Sequence, residues 1–312
     1  MAMTRFLTWN IQSKHTPIRQ QVLEALVQEH AFDVIVFQEA SGLPLTIELN
    51  KLGYEPVQLA GTDPVGTVRI FLKKNTFQQL SLTHTHDKDK KIVMVELRRY
   101  TSKAASFNVA AVHLYSKKGR SEREQLWRNH QLLLELHEWE KNVSTTNRTI
   151  LVGDFNANPY EANLRDPFLL RGQESRALIK QLQGPPLPIS QWIRSALDFW
   201  YNPMWHLLGD HEPVTAPSPL ATARVVTGSF YFYNEGETPF WNLYDGFMVR
   251  PALMEEVVHS ALRVLVQTGP TPYFSPSPIT DFLQPYVTGP KNSPILTELP
   301  DHLPVTFALT SL

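Results

Sequence analysis

Two short runs of apolar residues constrain the fold more than any other feature of this sequence. Residues 32–37 and 149–152 are nearly uninterrupted stretches of Val, Ile, Leu and Phe. Such a run indicates a strand that is buried on both faces, in a sheet covered by other layers. Further strands are predicted from shorter patterns at residues 6–11, 67–72, 92–97, 107–114, 228–233, 242–249 and 303–309.

Helical patterns are fewer and lie between these runs. Ile18, Val22, Leu23 and Leu26 follow Pro17, a residue that is well tolerated in a first helical turn. A longer amphipathic helix is predicted over residues 122–139. Its predicted buried stripe contains Leu126, His130, Leu133, Leu134 and His137. Many covered strands with few helices predict a layered α/β sandwich.

The prolines divide the chain unevenly. The chain has 312 residues, of which 42% are hydrophobic, so it can bury a sizeable core. Prolines cluster between residues 157 and 227, and we predict a single domain over residues 1–312 with an elaborated insertion there. Short helices are predicted at residues 174–181 and 191–200, and loops at residues 84–91 and 267–300.

Charge and cysteine content exclude several classes. The formal net charge is -1, without the basic excess of a strong nucleic-acid binder. Any contact with a polyanion must therefore be local, or the substrate must be small or weakly held. The sequence has no cysteine, which excludes disulfides and thiolate zinc sites. We find no signal-peptide pattern and no apolar run long enough to span a bilayer, and we expect a cytoplasmic protein.

Polar residues recur at the ends of the predicted strands. A charged group beside a buried strand is costly unless it is paired or binds a metal. Because ligands of α/β sheets gather at strand ends, several such residues predict one convergent site. Asp154 and Asn156 are two residues apart, which places a carboxylate and an amide on one face of an extended chain. The set is Asn10, Glu39, His113, Asp154, Asn156, Asp245, Asp301 and His302.

The segments around these residues resemble the endonuclease/exonuclease/phosphatase superfamily. This superfamily includes pancreatic-type deoxyribonucleases, abasic-site endonucleases, deadenylases, sphingomyelinases and inositol-polyphosphate phosphatases. The resemblance is in family order and spans almost the whole chain, and it implies a four-layer sandwich of two mixed β-sheets flanked by helices. The matching segments are Thr8-Trp9-Asn10-Ile11, Phe37-Gln38-Glu39, Val112-His113-Leu114, Val152-Gly153-Asp154-Phe155-Asn156, Tyr244-Asp245 and Asp301-His302-Leu303-Pro304-Val305.

The resemblance implies a metal site and a histidine pair. Asn10, Glu39 and Asp301 would hold Mg²⁺ or Mn²⁺, with Glu39 as the main ligand. Oxygen ligands of this kind suit Mg²⁺. His302 would act as a general base on water or hold the phosphate, and Asp245 would orient its imidazole and stabilise the protonated form.

Three further residues complete the implied mechanism. His113 would bind a phosphate oxygen or protonate the leaving oxygen. Asp154 would position the attacking water or a second metal ion. Asn156 would stabilise the transition state by donating to a phosphoryl oxygen. Tyr115 and Arg120 are weaker candidates for substrate contact, and Arg120 could equally be the solvated start of the long helix.

The resemblance implies a phosphodiester hydrolase that depends on a divalent metal, with a nuclease acting on DNA or RNA as the leading activity. The alternatives are a phosphatase or phosphodiesterase on inositol phosphates, lipid headgroups or small nucleotides, and a non-catalytic binding scaffold. Residues 84–87 contain two histidines and an aspartate, but we interpret them as a solvated loop. The aromatic residues near the insertion fit either a small core or a stacking platform for bases.

Overall fold

The computed structural model describes residues 3–13, 15–57, 67–100, 105–166, 169–183, 199–208, 228–232, 240–265, 267–268, 271–272 and 300–310. The helices are α1 Pro17–His30, α2 Leu45–Lys51, α3 Glu122–Asn142, α4 Ala162–Arg165 and α5 Arg176–Gln183, with 3₁₀ helices at Pro203–Leu207, Pro251–Glu256 and His259–Ala261. The strands are β1 Met3–Asn10, β2 Val34–Gln38, β3 Tyr54–Pro56, β4 Arg69–Lys73, β5 Phe77–His84, β6 Ile92–Arg99, β7 Phe107–His113, β8 Thr149–Asp154, β9 Gly172–Gln173, β10 Trp200–Tyr201, β11 Phe230–Phe232, β12 Phe240–Asn242, β13 Asp245–Val249, β14 Arg263–Val264, β15 Gln267–Thr268, β16 Thr271–Pro272 and β17 Val305–Thr310.

Two mixed sheets contain most of the strands. A six-stranded sheet has the order β14-β17-β1-β2-β4-β3, and a seven-stranded sheet has the order β5-β6-β7-β8-β13-β10-β9. In the first sheet β1 and β2 are parallel, with Asn10 opposite Gln38. In the second sheet β7 and β8 are parallel, with His113 opposite Asp154. Strand β13 runs antiparallel to β8, so that Asp245 also lies opposite Asp154.

The two sheets pack face to face and each is covered on its outer side. Phe6 of the first sheet and Val109 of the second belong to one buried cluster between them. The rings of Phe247 and Phe307 stack across this interface at 3.6 Å between centroids. Helices α1 and α2 cover the outer face of the six-stranded sheet, and α3 covers that of the seven-stranded sheet. The predicted four-layer sandwich is confirmed.

The predicted buried stripe of the long helix is wrong in part, since Leu133 is buried but Leu134 is not. Leu134 is 43% exposed, and the buried face of α3 includes Gln125 and Asn129 instead. Gln125 Nε2 donates to the Tyr115 carbonyl at 2.7 Å, and Asn129 Oδ1 accepts from the Tyr115 N–H at 2.8 Å. These two polar side chains anchor the loop that follows β7, so the buried face is polar near the start of α3 and mainly apolar further along.

Two other boundaries differ from the prediction. His84 ends the strand β5 rather than starting a loop, and β5 escaped prediction because it is an exposed edge strand with a polar sequence. The predicted strand at residues 242–249 is divided between β12 and β13. Asp245 is therefore the first residue of β13 and not a residue inside a strand.

The segment between residues 157 and 227 contributes to the seven-stranded sheet. Strands β9 and β10 pair with each other, and β10 pairs with β13. Helix α5 agrees with the helix predicted near residue 174, whereas residues 191–198 lie outside the described residues. Most of the loop predicted at residues 267–300 also lies outside them, apart from the short hairpin of β15 and β16. None of the helices in the described ranges is long and apolar enough to cross a membrane.

Candidate active site

The ends of both sheets meet at one edge of the sandwich. Asn10 ends β1, and Glu39 follows β2 in the six-stranded sheet. His113 and Asp154 end neighbouring strands of the seven-stranded sheet. The Asn10 amide connects the two sheets, because its Nδ2 donates to Glu39 Oε1 at 3.2 Å and to Asp154 Oδ2 at 2.9 Å.

His302 and Asp245 form a buried pair beside this junction. His302 Nδ1 lies 2.6 Å from Asp245 Oδ2. Two contacts fix the backbones of the pair. The Asp245 N–H donates to Ser229 Oγ at 2.9 Å, and the His302 carbonyl accepts from Trp9 Nε1 at 2.9 Å. The imidazole is therefore held in one orientation from both its ring and its backbone.

The backbone around the site adopts unusual conformations. Glu39 and Asn156 have φ angles of 51° and 48°, in the left-handed region that most side chains disfavour. Gly153, just before Asp154, has a φ of 144°, and a Cβ there would lie 2.0 Å from the Val112 carbonyl oxygen. Only glycine fits at this position. Strained residues of this kind often occur at functional sites.

Asp154 occupies the centre of the group and is almost fully buried. Its Oδ1 accepts from the Asn156 N–H at 2.8 Å. The Asn156 side chain donates from Nδ2 to the Leu114 carbonyl at 2.9 Å, which leaves the second N–H of that amide for another acceptor. Burial, reinforced by the nearby Asp245, raises the pKa of Asp154 to about 7.

The two histidines of the site have opposite electrostatic environments. Burial lowers the pKa of His302, but the carboxylates of Asp245, Asp154 and Asp301 outweigh it and raise the pKa to about 10. Burial, together with the charge of Lys91 and of His302, lowers the pKa of His113 to about 3. At neutral pH His302 is therefore a cation and His113 is neutral.

Seven of the eight predicted site residues are linked by direct contacts or by their strand register. His113 Nε2 lies 3.7 Å from Glu39 Oε1 and 3.8 Å from Asp154 Oδ2. Asp301 is connected more loosely. Its Oδ1 lies 3.8 Å from His302 Nε2, and its N–H donates to Gln12 Oε1 at 3.2 Å. Among the described residues it makes no hydrogen bond to Asn10 or Glu39.

The donor groups of the site suit a divalent cation. Ligand atoms of Asp154, Asp245 and His302 lie within 4.8 Å of one another. Asp245 Oδ1 and Asp301 Oδ1 are buried and have no hydrogen-bond partner among the described residues. Carboxylate oxygens of this kind fit a hard cation such as Mg²⁺ or Mn²⁺. The geometric cluster differs from the predicted ligands Asn10, Glu39 and Asp301, whose assignment stays a prediction.

Lys91 lies beside the site and was missed by the sequence argument. The Lys91 carbonyl accepts from the His113 N–H at 2.8 Å, and its Nζ lies 4.8 Å from the centre of the Tyr115 ring. Burial lowers the pKa of Lys91, while Asp89, Asp87, Asp154 and Glu39 act in the opposite direction. A lysine directly before the apolar run at residues 92–97 was the one available indication.

Two of the open interpretations can be compared with the structure. His86 is 93% exposed and bonds to Glu135, and Asp87 accepts from the Lys91 N–H in a tight turn. This supports a structural loop after β5. Two of the aromatic residues lie at the site itself, since the Phe230 ring is 4.7 Å from His302 and stacks on Tyr244 at 5.4 Å.

Comparisons with known proteins agree with this geometry. The structure superposes on an endonuclease/exonuclease/phosphatase family protein from Bacteroides thetaiotaomicron with a TM-score of 0.54, 12% identity, and coverage of 99% of this chain and 98% of that one. For a humanized D. rerio TDP2 with 14 mutations the TM-score is 0.52, with 14% identity and 99% coverage of both chains. For a 3′ phosphatase, NExo, from Neisseria, bound to a product DNA hairpin, the TM-score is 0.51, with 15% identity and coverage of 97% and 98%. At such identities these likenesses show the fold alone.

The sequence itself gives the stronger result. No match was found among curated protein sequences. The sequence model of the Endonuclease/Exonuclease/phosphatase family, however, matches residues 7–268, which include the strand ends that carry Asn10, Glu39, His113, Asp154 and Asp245. Members of this family are hydrolases of phosphate esters and generally use a divalent metal ion. This chain belongs to the Endonuclease/Exonuclease/phosphatase family.

Proposed function

We propose that this protein is a divalent-metal-dependent phosphodiester hydrolase and acts as a nuclease on DNA or RNA. One observation carries the proposal. The Asn10 amide donates hydrogen bonds to both Glu39 and Asp154. His302 and Asp245 form a buried pair, and their potential ligand atoms lie within 4.8 Å of an Asp154 carboxylate oxygen. A structural protein would have no evident reason to bury two carboxylates and a histidine together at one edge.

The proposed roles follow from charge and position. His302 is kept cationic by Asp245, so it is suited to hold a phosphate oxygen and not to accept a proton from water. Asp154, whose pKa is raised to about 7, is the better candidate for the group that orients water and accepts its proton. For His302, the proposal therefore favours phosphate binding over general-base catalysis.

His113 and Asn156 are proposed to stabilise charge on the phosphate. A neutral His113 donates a hydrogen bond but holds no extra proton for a leaving oxygen, so phosphate binding is favoured over acid catalysis. The free N–H of the Asn156 amide is suited to the same purpose. Fixed donors aimed at developing charge are typically worth ~100- to 1,000-fold in rate.

A divalent cation would be held by the oxygen donors near Glu39. We propose Asn10, Glu39 and Asp301 as its ligands, with Glu39 the most accessible, its side chain being 39% exposed. When bound, the cation would neutralise phosphate charge and stabilise the leaving oxygen. The buried Oδ1 of Asp301, which has no hydrogen-bond partner among the described residues, supports a cation at this position.

Nucleic acid is the proposed partner, and the choice rests on two supports. The NExo structure named above is a DNA complex, so this fold accommodates DNA in at least one protein. Phe230 and Tyr244 offer stacked rings next to His302, and aromatic rings of this kind can stack on bases. A cytoplasmic location stays a prediction.

A substrate and metal panel tests the proposal. The purified protein is assayed with Mg²⁺, Mn²⁺ or EDTA on single- and double-stranded DNA, RNA, bis(p-nitrophenyl) phosphate and p-nitrophenyl phosphate. We expect cleavage of the diesters and of a nucleic acid, and we expect EDTA to abolish it. Activity on the monoester alone would contradict a phosphodiesterase. Turnover of none of these substrates would favour a binding scaffold.

A further inference from the structure

Three cationic side chains surround one tyrosine ring beside the candidate active site. Lys91 Nζ lies 4.8 Å from the centre of the Tyr115 ring, and the Cζ atoms of Arg120 and Arg128 lie at 5.3 and 5.4 Å. Each distance is within the range of a cation–π contact. Positive charge is therefore concentrated around Tyr115, although the net charge of the whole chain is close to zero.

The strand register places these side chains directly next to the candidate active site. The Lys91 carbonyl accepts from the His113 N–H, and β6 and β7 pair from Ile92 opposite Val112. His113 in turn lies opposite Asp154. Lys91 is thus one strand further along the sheet than His113, on the side away from His302 and Asp245.

Two of the three cations have no carboxylate partner. Arg128 is paired with Glu124 at 3.0 Å on the same helix. Arg120 donates only to the backbone carbonyls of Ser116 and Lys118, at 3.5 and 3.4 Å. Within the part of the chain that the structure describes, no carboxylate oxygen lies within 4.0 Å of Lys91 Nζ or of the Arg120 guanidinium.

Burial makes the arrangement of Lys91 costly without an anion. Lys91 is only 7% exposed, and removing most of a charged side chain from water is unfavourable unless an opposite charge lies near it. The Tyr115 ring offsets part of that cost but accepts no strong hydrogen bond. An anion with several acceptor oxygens would satisfy Lys91 and Arg120 together.

We propose that Lys91 and Arg120, held against Tyr115, bind a second phosphate group of the substrate, adjacent to the phosphate that is cleaved. The inference rests on the proposed function and adds to it a substrate class. It selects phosphate esters that carry a neighbouring phosphate, such as a nucleic acid strand. It disfavours substrates with a single phosphate, such as a phosphocholine headgroup.

A structural role for Lys91 is the competing explanation. Lys91 interacts electrostatically with Asp154 and Glu39, so it could serve only to balance the charge of the carboxylates. Loss of Lys91 would then affect all substrates alike. No carboxylate oxygen of the described residues lies within 4.0 Å of the Arg120 guanidinium, so replacing Arg120 separates the two explanations.

The test is competition between dinucleotides in one assay. Hydrolysis of bis(p-nitrophenyl) phosphate is followed while thymidine dinucleotides compete: one without a terminal phosphate, one phosphorylated at the 5′ end and one phosphorylated at the 3′ end. We expect one phosphorylated dinucleotide to compete at least about tenfold more strongly than the unphosphorylated one, as for one or two charge-assisted hydrogen bonds. Lys91→Met and Arg120→Gln should each reduce the ratio of the inhibition constants of the unphosphorylated and phosphorylated dinucleotides towards one.

Lys88→Met is the matched control, because Lys88 is exposed and lies three residues before Lys91. It removes the same charge and should leave the ratio unchanged. Equal competition by all three dinucleotides in the wild type would overturn the second phosphate site while the proposed function stands. The second phosphate site would also be overturned if Lys91→Met and Arg120→Gln weakened the binding of all three dinucleotides equally. If the wild type hydrolysed no diester with Mg²⁺ or Mn²⁺, the proposed function and this inference would both fail.

Discussion

His302 and His113, the two histidines of the candidate active site, differ in charge although both are largely buried. His302 lies 2.6 Å from Asp245, and this carboxylate raises its pKa to about 10 against the effect of burial. The carboxylate oxygens nearest to His113 are 3.7 and 3.8 Å away, and burial with the charge of Lys91 lowers its pKa to about 3. The difference arises because His302 has a carboxylate in hydrogen-bond contact, whereas His113 is buried without one and also feels the positive charges of Lys91 and His302.

From this difference we propose that the two imidazoles have separate tasks in the site. A cationic imidazole attracts a phosphate oxygen by charge, whereas a neutral imidazole contributes only a directed hydrogen bond. Asp154 lies between the two histidines. Its Oδ2 is 3.8 Å from His113 Nε2, and one of its carboxylate oxygens is within 4.8 Å of a ring nitrogen of His302. The predictions below test how far the two histidines differ.

Asp154→Asn should have the largest effect. The amide preserves the shape of the side chain but cannot accept a proton, so we expect kcat/KM on a phosphodiester to fall ~100- to 10,000-fold. Steady-state kinetics measures the loss, and circular dichroism checks the fold. Asp89→Asn changes an exposed carboxyl and is the control. A rate near that of the wild type would remove Asp154 from the mechanism.

His302→Ala should lower kcat/KM more than His113→Ala does. Loss of the cationic His302 should lower kcat/KM about 100- to 1,000-fold. Loss of the neutral His113 should cost about tenfold, which is the usual size for one hydrogen bond. His86→Ala, at a histidine that is 93% exposed, should have little effect. Equal losses for the first two variants would show that their charge states do not separate their roles.

Glu39→Gln should change the metal dependence. Removing the charge of the proposed main ligand should raise the Mg²⁺ concentration for half-maximal activity by at least about tenfold. Glu55→Gln, at an exposed position, controls for the change of net charge. An unchanged Mg²⁺ titration would show that Glu39 is not a ligand.

The titration of the two imidazoles gives the finest test. In metal-free protein, nitrogen NMR should find His302 still protonated at about pH 8 and His113 still neutral at about pH 5. Asp245→Asn removes a negative neighbour and should lower the pKa of His302. Lys91→Met removes a positive neighbour and should raise the pKa of His113. Shifts in the opposite directions would contradict the electrostatic assignment.

Local patterns were sufficient for the central strands. The apolar run at residues 32–37 forms β2 and that at residues 149–152 forms part of β8, because a strand buried on both faces needs such a run whatever its neighbours are. Strand β5 and the buried face of α3 could not be found in this way. The first is an exposed edge, and the second buries Gln125 and Asn129 to hold the backbone of Tyr115.

Motif order predicted a group of residues that the structure brings to one edge, but it did not include Lys91. The nearness of Lys91 to His113 depends on how β6 and β7 are aligned, and no spacing along the chain encodes that alignment. The contact between Asn10 and Asp154 likewise requires two different sheets to meet.

Sequence patterns predicted the layered fold and the residues proposed for the site. The charges of these residues depend on the three-dimensional arrangement. The pKa of an imidazole depends on its burial and on how far it lies from other charges, and the electrostatic energy changes steeply at short separations. Asp245 and His302 are far apart in the sequence and 2.6 Å apart in the fold, and that distance makes His302 the cation of the site.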